Sequence, residues 1–152
     1  METETKPKSK EELALEFGRS MAEMRNFLRQ HIQIKIKEHN INITFEMLEV
    51  MSCLWKKDGI NQQEIADLTL RDKSSMTYLI DNLVKREMVK RVEDGIDRRN
   101  KLIYLTDEGN KLKDTLYPWV AEVYKMATVD VDLKTLEDGI EMVNKMIGNL
   151  KM

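Results

Sequence analysis

Cysteine, glycine, proline and long apolar runs are all scarce in this 152-residue chain, and each scarcity excludes something. One cysteine, Cys53, cannot form an intramolecular disulfide, which points to a reducing compartment. Six Gly and two Pro leave too few turn residues for a many-stranded sandwich or barrel. No apolar run approaches the roughly 18 residues of a membrane span. The first ten residues are charged and lack an apolar stretch, so a signal peptide is not expected. The net charge of −2 is wrong for a protein that coats nucleic acid by bulk charge, though it permits a local basic site. There is no nucleophile–base pair, no glycine-rich phosphate loop and no C-x-x-C, H-x-x-H or H-E-x-x-H spacing. An enzyme is therefore set aside, and neither a cofactor nor a metal is expected. What remains, 41% apolar and 34% charged residues, suits a cytoplasmic, mainly helical protein of one domain.

The apolar periodicity divides the chain. Residues 1–10 read as a disordered polar tail. Leu13, Phe17, Met21, Met24, Leu28 and Ile32 then step by three and four, which predicts a helix to about Glu38, followed by a connection over 39–43. Thr44 caps a second helix with Phe45, Leu48, Met51 and Trp55 on one face, stopping before Asp58-Gly59. Asn61 with Glu64 opens a short third helix, with Ile65, Ala66 and Leu68 inward. A fourth helix carries Met76, Leu79, Ile80, Leu83 and Val84 inward and Ser74, Ser75, Thr77, Tyr78, Asp81, Asn82 and Lys85 outward. The period then changes. Two short strands, 88–93 and 101–105, flank a polar loop and predict a hairpin, with Ile103 and Leu105 on one face. Thr106 caps a fifth helix, which Pro118 should kink rather than end, and Asp132 caps a sixth. The last helix bears Leu133, Leu136, Ile140, Val143, Ile147 and Leu150 in a heptad stripe.

The order helix, turn, helix, hairpin over 60–106 is that of a winged helix-turn-helix. The fourth helix fits a reader of the major groove, because its outward face opens with small hydroxyls and ends in Lys85 and Arg86. Residues 71–101 hold nine Lys and Arg against six Asp and Glu, so an acidic chain has one basic region there. The terminal helices lie outside this compact unit. Their stripes, Leu13 and Phe17 with Leu133, Leu136, Ile140, Val143, Ile147 and Leu150, are expected to pack partly on their own chain and partly on a second copy, giving a homodimer. The chain thus divides into a tail (1–10), a dimerisation helix and connection (11–43), a DNA-binding lobe (44–106) and helices completing the dimerisation region (107–152).

Asp97-Arg98-Arg99-Asn100-Lys101-Leu102-Ile103-Tyr104-Leu105-Thr106-Asp107-Glu108-Gly109 resembles the wing signature of the MarR family of transcriptional regulators, D-x-R-x-x-x-φ-x-L-T-x-x-G, where φ is apolar. The run from Ser75 to Leu83 is similar to that family's recognition helix, and the resemblance extends from about Glu11 to Leu150. It implies a six-helix winged-helix dimer that binds double-stranded DNA at a pseudo-palindromic operator, acts as a repressor or, alternatively, an activator, and is released by a small effector. On this resemblance Arg99 enters the minor groove and Asp97 orients it. Arg98 and Lys101 are candidate backbone contacts. Lys73, Ser74, Ser75, Thr77, Tyr78 and Asn82 are candidate base or phosphate contacts, and Asn61, Gln62 and Gln63 candidate phosphate contacts. Two positions depart from the family pattern: Glu87 stands where Gly is common, and Tyr78 where Arg is common.

Plainer readings stand beside these. Cys53 reads as a small core residue, with oxidant sensing as the alternative. His31 and His39 lack metal-ligand spacing. Met21, Met24, Met47, Met51 and Met126, with Trp55 and Trp119, are either core or the lining of a pocket for a small aromatic effector. The rival function is a winged-helix dimer that binds a protein partner and not DNA. Arg98 and Arg99 argue against it.

Overall fold

The computed structural model describes residues 5–152. Its elements are α1 (Lys10–Glu38), α2 (Phe45–Lys56), β1 (Ile60–Asn61), α3 (Gln62–Thr69), α4 (Lys73–Lys85), β2 (Val89–Glu93), β3 (Lys101–Leu105), α5 (Asp107–Ala127) and α6 (Leu133–Leu150). The fold is mainly helical, with six helices and one small antiparallel sheet ordered β1-β3-β2. Residues 1–4 of the expected tail lie outside the described residues. Its far end is structured: Ser9 accepts from the Glu12 backbone while Glu12 reaches back to Ser9, a capping box that starts α1 three residues before the apolar stripe.

The expected caps at Thr44, Asn61, Thr106 and Asp132 each accept a backbone N–H two or three positions into their helix. Helix α5 runs on through Pro118. The sheet holds a strand the periodicity missed. Ile60 and Asn61 pair with Ile103 and Leu102, too short a run to show alternation. Asp58 builds the turn before it, since one carboxylate oxygen accepts from the N–H groups of Gly59 and Leu105 at 3.1 and 2.9 Å. Gly59 sits at φ +70 under the Tyr104 ring, where no other residue would fit easily.

The core lies where α2, α3 and α4 meet the sheet. Val50, Met51, Ile65, Met76, Ile80, Leu83 and Ile103 are fully buried there, each worth about 1.5–3 kcal/mol relative to exposure. Two inward assignments are corrected. Val84 is exposed because, eight residues from Met76, it lies about 80° round the helix and nothing covers it. Leu68 is exposed because it faces the mouth of a cavity rather than the core. Helix α6 packs only lightly on its own chain: none of its residues is buried, and Gly139, Val143 and Met146 are half-buried. Leu133, Leu136, Ile140, Ile147 and Leu150 are exposed, as is Leu13, while Phe17 and Val143 are half-buried.

The tightest contact joins the hairpin to α5. Thr106 donates its N–H to the Met88 carbonyl and its hydroxyl to the Glu87 carbonyl. This brings Gly109 so close that a side chain there would strike the Met88 carbonyl oxygen. Trp55 then donates its indole N–H to the Gly109 carbonyl at 3.1 Å. Glu87 itself sits at φ +58, a left-handed turn that Gly takes more readily. Substituting Gly109→Ala is expected to destabilise the chain by about 1–3 kcal/mol. Gly95→Ala, with open space around it, should stay within about 0.5 kcal/mol. Urea denaturation of the two variants checks this, and equal midpoints would contradict the close-approach account.

Candidate nucleic-acid interface

Helices α3 and α4 form the helix-turn-helix, and the turn between them is set by local chemistry. Leu70 ends α3 in a left-handed conformation at φ +52, and its N–H returns to the Ala66 and Asp67 carbonyls. Asp72 then caps α4 through the Ser75 N–H at 2.7 Å. This bond, with the Ser75 hydroxyl and the Ser74 N–H, holds the Asp72 carboxyl below the ordinary aspartate value. The first exposed turn of α4 shows Lys73, Ser74 and Ser75, and Tyr78 projects one turn on, 67% exposed.

The other candidates on these helices are engaged inside the chain. Gln62 donates to the Thr77 hydroxyl at 2.9 Å and accepts from Arg91 Nε at 3.4 Å, so it ties α3 to both α4 and β2. Thr77 also donates to the Lys73 carbonyl. Gln63 donates to Asp67 on its own helix. Asn82 donates to the Tyr78 carbonyl and accepts from Arg86, which also bonds the Asn42 carbonyl. Asn61 is occupied as a cap.

The wing is equally ordered. Asp94 accepts from the Ile96 N–H and the Asn100 side chain, which together lower its pKa. Asp97 accepts from the Arg99 backbone N–H at 3.0 Å. It therefore holds the loop that carries Arg99 and makes no bond to the guanidinium. Arg98 and Arg99 are exposed.

Three of the nine cations over 71–101 are neutralised by ion pairs. Arg71 pairs with Glu49, Arg91 with Asp81 and Lys101 with Glu93. Among the described residues of 71–101, Lys73, Lys85, Arg86, Lys90, Arg98 and Arg99 have no ion-pair partner, Arg86 bonding instead to Asn82 and the Asn42 carbonyl. A groove of about 230 Å³ joins the ends of α3 and α4 to the wing base. Asn61, Gln62, Gln63, Lys73, Arg99 and Lys101 line it, together with Asn100, which sequence reasoning passed over although it stands inside the wing signature. Ser74, Ser75, Thr77, Tyr78, Asn82, Asp97 and Arg98 lie outside this groove.

A second, larger cavity of about 670 Å³ opens between α1, α2, the α3–α4 turn and α5. Phe45, Trp55, Trp119 and Tyr124 line it, with Leu68 and Leu70 at the turn. None of the five methionines considered for such a pocket does so; Met47 and Met51 are spent in the core. The polar groups at this cavity are coupled. Glu49 binds Arg25 of α1 and, through its other oxygen, Arg71 of the α3–α4 turn at 3.0 Å. Cys53 is half-buried, and burial followed by the Glu49 charge raises its thiol pKa, which disfavours the thiolate. The His39 ring packs on Trp119 with centroids 4.2 Å apart. Among the described residues no group of three or more His, Cys, Asp or Glu could hold a metal, and no helix is long and apolar enough to cross a membrane.

The model of the MarR family matches residues 43–101. The transcriptional regulator MhqR of Bacillus subtilis is 30% identical over 122 residues, 79% of each chain. Among solved structures, Staphylococcus aureus MepR in its DNA-binding conformation superposes with a TM-score of 0.77 at 23% identity, covering 89% of this chain and 98% of that one. CouR of Rhodococcus jostii bound to p-coumaroyl-CoA gives 0.75 at 18% identity, covering 90% and 94%.

The Asp72 cap makes a pH prediction. A folded-state pKa held below the unfolded one gives stability that is present above the ordinary aspartate value and lost as pH falls through the folded value. Asp72→Asn keeps a capping oxygen but removes the titration. Its melting temperature should therefore fall less than that of the wild type between pH about 5 and about 2. Parallel acid-melt curves would contradict the assignment.

Proposed function

The chain belongs to the MarR family of transcriptional regulators, and on that footing we propose that it binds a pseudo-palindromic DNA operator as a homodimer, represses from it and is released by a small aromatic effector. The observation that carries this is the basic groove where the start of α4, the start of α3 and the wing base converge on Lys73, Arg99 and Lys101. A phosphate backbone suits such a groove, and the exposed α4 face beside it suits a major groove. Within this reading the candidate residues separate into three roles. Lys73, Ser74, Ser75, Tyr78, Arg98 and Arg99 face the duplex. Gln62, Thr77, Asn82 and Asp97 hold those elements in place. Asn61, Gln63 and Lys101 border the backbone groove.

The second copy belongs on the terminal helices. The α6 stripe, with Leu13 and Phe17 of α1, is apolar, regular and mostly exposed, only Phe17 and Val143 being half-buried. Exposed apolar surface of this extent is best removed by a two-fold partner. Residues 11–43 and 107–152 then form the dimerisation region around the binding lobe, 44–106. The 670 Å³ cavity at their junction is of small-molecule size, and its aromatic walls favour a planar apolar ligand. Glu49 gives such a ligand a route to the DNA, because displacing Arg71 disturbs the turn that leads to the Asp72 cap.

Fluorescence anisotropy with duplexes from upstream of its own gene tests the proposal. The wild type should bind one duplex in a salt-sensitive manner. Arg99→Ala should weaken it by about tenfold to a hundredfold and lower the salt slope by about one. If the wild type shows no salt-sensitive binding to any duplex, the DNA reading falls and the rival, a protein-binding winged-helix dimer, replaces it.

A further inference from the structure

Ile96 is the most exposed internal apolar residue among those described, at 98%, and nothing in the fold uses its side chain. Its neighbours Asp94, Gly95 and Asp97 are the polar and flexible residues that a solvated loop ordinarily carries. The apolar exception stands at the wing tip, two residues before Arg98 and three before Arg99. It is also held there. The Asp94 carboxylate accepts the Ile96 N–H at 3.0 Å, its other oxygen is fixed by Asn100 at 2.9 Å, and the Asp94 N–H donates to the Asn100 carbonyl. A tip ordered on both sides presents this side chain at little entropic cost on binding.

The minor groove has acceptors on its floor and apolar deoxyribose walls. Proteins that enter it combine cations with apolar side chains that pack on sugars or wedge between base steps. The wing supplies both within four residues. We propose that Ile96 is a minor-groove contact, packing against deoxyribose beside Arg99 when the wing docks on DNA. This rests on the DNA-binding reading above and adds a contact that charge does not provide. Its energy is hydrophobic, so it is independent of counterion release.

The test uses the full-length chain and the tightest duplex selected from a random pool, with anisotropy read over a salt series for wild type, Ile96→Ser, Ile96→Leu and Arg99→Ala. The side chain touches nothing in the fold, so these changes at 96 leave the lobe intact. Ile96→Ser is expected to weaken binding about tenfold with the salt slope unchanged, and Ile96→Leu to stay within about twofold of wild type. Arg99→Ala should instead reduce the slope. Wild-type affinity in Ile96→Ser overturns the inference. So does a reduced slope in that variant, which would mean that the loss came through a displaced arginine. If the wild type selects no duplex, the DNA-binding reading fails and takes this contact with it, a result distinct from a normal wild type with an indifferent serine variant.

Discussion

The whole arrangement hangs on one close approach, the Gly109 backbone lying against the Met88 carbonyl. Met88 precedes β2, and Gly109 belongs to the first turn of α5. Their contact, with the two Thr106 hydrogen bonds, fixes the angle at which the hairpin leaves α4 and α5 leaves the hairpin. Trp55 extends the junction to α2 by bonding the Gly109 carbonyl. The elements proposed to read DNA and the helix leading to the proposed dimer region therefore share a single rigid corner. Close-packed corners of this kind transmit displacement rather than absorb it. That is what a regulator needs if an occupant of the cavity beside Trp55 is to be felt at the wing.

Electrostatics at the candidate site are shaped by which cations are already committed. Pairing removes Arg71, Arg91 and Lys101 from the simple excess of positive charge. The remaining cations are Lys73 at the start of α4, Lys85 and Arg86 at its end, Lys90 on β2, and Arg98 and Arg99 in the wing loop. Paired residues still serve. The Arg91 link to Asp81 and Gln62 sets β2 against α4, and Arg71 joins the turn to Glu49. Rigid placement of a few free cations fixes the protein's register on a duplex, which a larger diffuse charge would not.

Much of this was legible in the residues because helices announce their faces and their caps. Thr44, Asn61, Thr106 and Asp132 were readable as caps, and the α4 stripe from Met76 to Leu83 as core. The missed features lack a local period. Two residues of β1 show no alternation, and Ser9 caps α1 ahead of any apolar signal. Leu68 followed the helical pattern yet faces a cavity, because periodicity gives a direction and not what lies along it. The wing signature begins in the loop between β2 and β3, but the bonding inside that loop was not visible. Asp97 holds the Arg99 backbone, and Gln62 and Asn82 spend their amides on neighbours. The cavity was expected to be lined by methionines and is lined by aromatics, since Met47 and Met51 point to the other side of α2.

In the proposed dimer two copies of this lobe, held by their terminal helices, present matched α4 faces and wings to one duplex. Hydroxyl-radical footprinting of the full-length chain on its selected duplex tests this directly. The account predicts two equivalent sets of protections related by a dyad, their centres about one helical turn apart, each with an outer minor-groove segment where the wing lies. A single asymmetric patch, or protection lacking the outer minor-groove segments, would contradict it.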